Sequence, residues 1–193
     1  MENVVTLEKW LRRGSQRAAA LQALRKPMPA SELHREAQRI NPHIQLRDLW
    51  LILPQLVEHR LVICLTPQQA NGKLYALTPL GRSLTEQAFG LRPPAPDDGV
   101  DWRRYSWVVC ARVRRLTLDG LARVTERDGQ GHTATEVRKF LRDEFPVGLN
   151  PVIRSLKALT VKGLVRLAGR TADHRQCYAL TPAGKRLHAQ LRR

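Results

Sequence analysis

Acidic residues are scarce in this chain, which sets 17 Asp and Glu against 33 Lys and Arg in 193 residues. The resulting formal charge of +16 favours a polyanionic partner through phosphate contacts and counterion release. Nucleic acid stands ahead of an anionic membrane surface. No apolar run approaches the roughly 20 residues of a membrane helix, and the opening MENVVTLEKWLRRG has no positive segment leading into an apolar one. No membrane partner is expected. The three cysteines, Cys64, Cys110 and Cys177, are odd in number and lack CxxC spacing. That argues against a disulfide framework and a zinc site and for buried structural thiols.

The signatures of catalysis are missing too. The chain has no GxxxxGK[ST] loop, no GxGxxG, no HExxH and no GxSxG elbow. Its six histidines, His34, His43, His59, His132, His174 and His188, are scattered without ligand spacing. Seventeen dispersed acidic residues do not favour a two-metal site either. The reading is therefore a protein that is not an enzyme, with no metal and no cofactor. His34 is expected at the surface. Trp102, Tyr105 and Trp107 are expected in core packing, with the lining of an effector pocket as the lesser reading.

What the chain does contain is a duplication. YALTPLGRSL (Tyr75 to Leu84) repeats as YALTPAGKRL (Tyr178 to Leu187), 103 residues later. At the same offset HRLVICL (His59 to Leu65) lies over KGLVRLA (Lys162 to Ala168), and Leu49, Leu53 and Leu56 fall opposite Val152, Leu156 and Leu159. Further back, Ser31 to Leu33 meets Thr135 to Val137 with the offset slipped by one residue. A period this long implies two similar domains and not a solenoid. LRPPAPDDGV, rich in Pro and Asp, reads as a semi-rigid linker. The layout is a first domain over 1–90, a linker over 91–100 and a second domain over 101–193.

Each unit signals three helices, a hairpin and a closing helix, a mainly α fold with small β-hairpins (α+β). In the second unit Thr133 and Glu136 have capping-box spacing. Asn150 and Pro151 read as the N-cap and first residue of the third helix, which Gly163 stops. In the first unit the third helix runs roughly from Gln45 to Arg60, with Pro54 expected to kink or split it. Asn71 and Gly72 supply the turn of its hairpin. The first helices are expected over Gln16 to Leu24 and over Leu116 to Val124. The run WRRYSWVVCARV fits a strand or a helix start equally.

Both units resemble winged helix-turn-helix domains of the MarR and PadR type. The likeness rests on the Y-x-L-T-x-x-G segment in which a wing strand enters the last helix. It is matched by Tyr75, Leu77, Thr78 and Gly81 and again by Tyr178, Leu180, Thr181 and Gly184. The resemblance implies a transcription regulator bound to double-stranded DNA, in a cytoplasmic, nucleoid-associated location. A MarR protein has one winged helix and helical dimerisation arms, whereas two wings on one chain can act as a pseudo-dimer. The alternatives are a winged-helix protein-interaction module, of chromosome-segregation or polymerase-associated type, and a plasmid or phage replication initiator.

A helix fits the major groove while wings hold phosphate. In the second unit the expected DNA contacts are Asn150, Arg154, Ser155 and Lys157 on the third helix, Lys162 at its end, and Arg170, His174 and Arg175 on the wing. Arg154 is the foremost base reader. The first unit offers Gln45, Arg47, Asn71 and Lys73. Basic clusters near the start of each unit, Arg12, Arg13 and Arg17, then Arg112, Arg114 and Arg115, are candidate phosphate clamps. Residues 1–90 carry 12 basic and 7 acidic side chains, against 21 and 10 in 91–193. The third helix of the first unit is also apolar nearly all round, through Leu46, Leu49, Trp50, Leu51, Ile52 and Leu53. The second domain is therefore expected to bind DNA more strongly. The first is expected to pair with a protein partner, with the second domain or with another copy of the chain.

Overall fold

A computed structural model describes residues 4–96, 99–142 and 145–192. The chain divides into two compact units, Met1–Asp97 and Asp98–Arg193.

The first unit runs α1 (Val4–Arg12), α2 (Ser15–Ala23), β1 (Met28–Pro29), α3 (Ala30–Ile40), α4 (Leu46–Glu58), β2 (Val62–Cys64), β3 (Leu74–Leu77) and α5 (Pro79–Phe89). The second runs α6 (Trp102–Val109), α7 (Arg112–Asp128), β4 (His132–Thr133), α8 (Ala134–Arg142), α9 (Leu149–Val161), β5 (Val165–Arg170), β6 (Gln176–Leu180) and α10 (Pro182–Arg192). Each unit thus has a helix before the three expected ones, and WRRYSWVVCARV opens as helix α6. Each hairpin is joined by a short third strand into an antiparallel sheet, ordered β1-β3-β2 and β4-β6-β5. In the first, Met28 pairs with Tyr75 and Val62 with Leu77. In the second, His132 pairs with Tyr178 and Val165 with Leu180. The architecture is mainly helical with small antiparallel sheets.

The bounds of α9 and α10 are those of α4 and α5 moved by 103 residues. The apolar stripes explain why. Leu49, Leu53 and Leu56 of α4 and Val152, Leu156 and Leu159 of α9 are each at most 1% exposed. They recur every three or four residues on the inward side. Burying a side chain of this size stabilises by about 1.5–3 kcal/mol. At the start of α8 the capping box forms: the Thr133 amide donates to Glu136 Oε2 at 2.7 Å and the Glu136 amide to Thr133 Oγ1 at 3.3 Å.

Three expectations about the backbone and thiols need correction. Asn150 is not the N-cap of α9; Gly148 is, and Asn150 lies one residue into the helix. Pro151 is tolerated there because amides of the first turn have no intrahelical acceptor to lose. Pro54 does not split α4, which is one helix of 13 residues, held by its buried stripe. None of the cysteines is fully buried: Cys64 and Cys177 are half-buried at the hairpins and Cys110 is exposed after α6.

Candidate nucleic-acid interface

Four positions at the spacing i, i+4, i+7 and i+11 share the side of α9 opposite its buried stripe: Asn150, Arg154, Lys157 and Val161. All four are exposed, and Ser155 beside them is half-buried. At the C-terminal end of the helix, Gly163 adopts φ 69°, a left-handed turn that favours glycine. The chain then enters the hairpin, where Arg170, His174 and Arg175 are exposed at the tip. The tip is tied internally. Thr171 donates its amide to the Arg175 carbonyl at 2.9 Å, and the His174 amide returns to the Thr171 carbonyl at 2.9 Å. His174 itself has φ 60°, a conformation histidine adopts more readily than most residues.

Helix and hairpin meet in a groove of about 610 Å³. Leu149, Ile153 and Lys157 of α9 form one wall, Arg175, Gln176 and Tyr178 another, and Thr133 to Thr135 the end. Lys157 and Arg175, far apart in sequence, therefore line one concavity. Lys162 is exposed just past α9, with its ammonium 5.8 Å from the Trp107 ring. Sequence reasoning missed Arg166, which is exposed on β5 beside the buried Val165. The strand is exposed from Arg166 to Arg170, so no alternation of burial marks it, and the signal is its charge within a hairpin strand.

The counterpart side of α4 is different chemistry on the same backbone. Position by position, Arg47 stands for Asn150, Leu51 for Arg154, Pro54 for Lys157 and Glu58 for Val161, while Ile63 on β2 stands for Arg166. Leu51 is 68% and Trp50 55% exposed. Gln45 caps α4, with its amide donating to Asp48 Oδ2 at 2.8 Å. Arg47 is exposed, and Asn71 and Lys73 sit at the turn of the short hairpin. The first unit thus has isolated polar groups around an apolar face, not a basic stripe.

Several cations of the clusters at the starts of the units are engaged within their own unit. Arg114 is folded inward, donating to the Trp107 carbonyl and stacking 3.5 Å from the centre of the Trp107 ring. Burial pulls its guanidinium pKa down, with Cys110 opposing. Arg112 lies 3.7 Å over the Phe145 ring, Arg17 lies 4.0 Å over Trp10, and Arg12 pairs with Glu8 at 2.8 Å. Arg12 thus pairs within α1, whereas Arg17, Arg112 and Arg114 each lie over a ring outside their own helix, cation–π contacts that hold neighbouring segments of one unit together.

Among the aromatics, Tyr105 is buried and meets Trp102 edge-on at 5.3 Å, whereas Trp107 is half-buried beside Arg114. His34 is not a free surface group: its Nε2 lies 3.1 Å from the Ile44 carbonyl. Among the described residues no group of three or more His, Cys, Asp or Glu side chains is placed to hold a metal ion, and no helix is long and apolar enough to cross a membrane. No protein-family model matches the chain, and no curated protein matches it in sequence.

Proposed function

We propose that the chain is a tandem winged-helix protein that binds double-stranded DNA through its second unit and serves as a transcription regulator. One observation carries this reading: Asn150, Arg154 and Lys157 share the exposed side of α9, and Lys157 shares a groove with Arg175 of the adjoining hairpin. A helix of this width enters the major groove. In that pose Arg154 reaches base edges and Asn150 flanks it, while Arg166, Arg170, His174 and Arg175 approach phosphates beside the groove. The net charge of +11 over 91–193, against +5 over 1–90, supports the same division.

The test is selection of binding sites from a random duplex library, followed by affinity measurements over a range of salt. A regulator yields a recurrent site bound at least about 1,000-fold more tightly than random duplex. Weak binding without a preferred site overturns regulation. A second reading, protein interaction, is favoured for the first unit alone by the exposed Trp50 and Leu51 on α4.

A further inference from the structure

We infer that the outward face of α4 is a self-association surface, on which a second copy of the chain packs its own α4 antiparallel across a two-fold axis. The face is exposed and apolar where its counterpart on α9 is basic, with Leu46, Trp50, Leu51 and Val57 all at least 39% exposed. Pro54 adds a ring where a lysine stands in the second unit. An exposed proline inside a helix costs about 3 kcal/mol relative to alanine, so this face is not tuned for the stability of the isolated unit.

The charge pattern selects the occupant. Arg47 and Glu58 are both exposed and stand at opposite ends of the central line of the face, eleven residues or about 16 Å apart. A two-fold contact is isologous, so each residue must meet its complement on the same patch of the other copy. Turning a second α4 through 180° about an axis between positions 52 and 53 places Arg47 opposite Glu58 at both ends. The same operation sets Leu51 opposite Pro54 and brings Val57 of the second copy between Leu46 and Trp50. One register therefore satisfies both charges and interlocks the apolar side chains. A parallel arrangement would oppose like charges. A helix pair of this length falls near or below the lower end of stable interface sizes, about 1,200 Å² in total, so the association is weak, in the micromolar range. It does not rest on DNA binding, since none of these side chains belongs to α9 or its hairpin.

Sedimentation equilibrium of the full chain without DNA, over a micromolar concentration series at low salt, tests this. A monomer–dimer equilibrium is expected. Leu51→Glu should weaken it at least about ten-fold, and because Leu51 is 68% exposed the variant should keep its far-ultraviolet circular dichroism. Arg47→Glu alone and Glu58→Arg alone should each weaken it about ten-fold, by replacing two attractions with two repulsions. The double variant Arg47→Glu with Glu58→Arg should return to within about two-fold of the parent, which a merely sticky face or an unrelated protein partner would not produce. Arg154→Glu with Lys157→Glu should leave the equilibrium unchanged. A monomer throughout the series, a dimer indifferent to Leu51→Glu, or failure of the double charge exchange to restore association overturns the inference.

Discussion

A Cβ placed on Gly184 would collide with the carbonyl oxygen of Leu164, and one on Gly81 with that of Leu61. These contacts explain the motif that repeats in the chain. Thr181 donates its hydroxyl to the Gly163 carbonyl at 2.7 Å and accepts from the Gly184 amide at 3.1 Å. Thr78 accepts from Gly81 in the same way. The threonine ties the last strand to the end of the preceding long helix, and the glycine lets α5 or α10 start against that backbone. In an ordinary helix Gly→Ala stabilises by up to about 1 kcal/mol. Here Gly184→Ala and Gly81→Ala should each destabilise by about 2–3 kcal/mol, as read from urea unfolding midpoints.

Arg114 is a structural cation. Arg114→Ala should lower stability by about 1–2 kcal/mol through loss of the Trp107 stack and carbonyl bond. It should leave the dependence of DNA affinity on salt unaltered. Paired unfolding and binding titrations separate the two effects.

Asp119 and His188 give the second unit an acid-sensitive contact. The buried His188 ring donates to Asp119 Oδ1 at 2.8 Å. This bond, helped by Arg123 and Arg192 and opposed by burial, holds the Asp119 carboxyl below its ordinary range. A lowered folded-state pKa means that the contribution is complete above the unfolded value, about 4. It is lost as pH falls through the folded value. Asp119 is partly exposed, so the contribution is about 1 kcal/mol. Asp119→Asn should cost that much at neutral pH and flatten the loss of stability below about pH 4, measured as urea midpoints across the acid range.

The sequence displays those features that recur with a fixed period or a fixed turn chemistry. The stripes of α4 and α9, the Thr133–Glu136 cap and the strand-to-helix corner are legible because burial and capping demand particular residues at particular spacings. The helix end at Gly163 is legible for the same reason. Its counterpart Arg60 takes φ 56° without a glycine to announce it, so the sequence does not mark the end of α4 at Glu58. Helix α6 was ambiguous because WRRYSWVV suits a strand by composition, while its cap, Asp101 accepting from Arg103 and Arg104, is a single residue. That Arg114 and Arg17 lie over Trp107 and Trp10 is not legible, because a sequence does not show which cations fold back on nearby rings. The exposed side of α9 is legible from its period, whereas Arg166 is not, because β5 is exposed along most of its length.

On the proposed function, Arg154 and Lys157 on α9 contact duplex DNA. Fluorescence titration of the parent chain and of Arg154→Glu with Lys157→Glu against one duplex, over a range of salt, measures it most directly. Each phosphate contact adds about 0.9 to the slope of log affinity against log salt. The double variant should bind at least about 100-fold more weakly, with a slope shallower by at least about one. Unchanged affinity with an unchanged slope would contradict it.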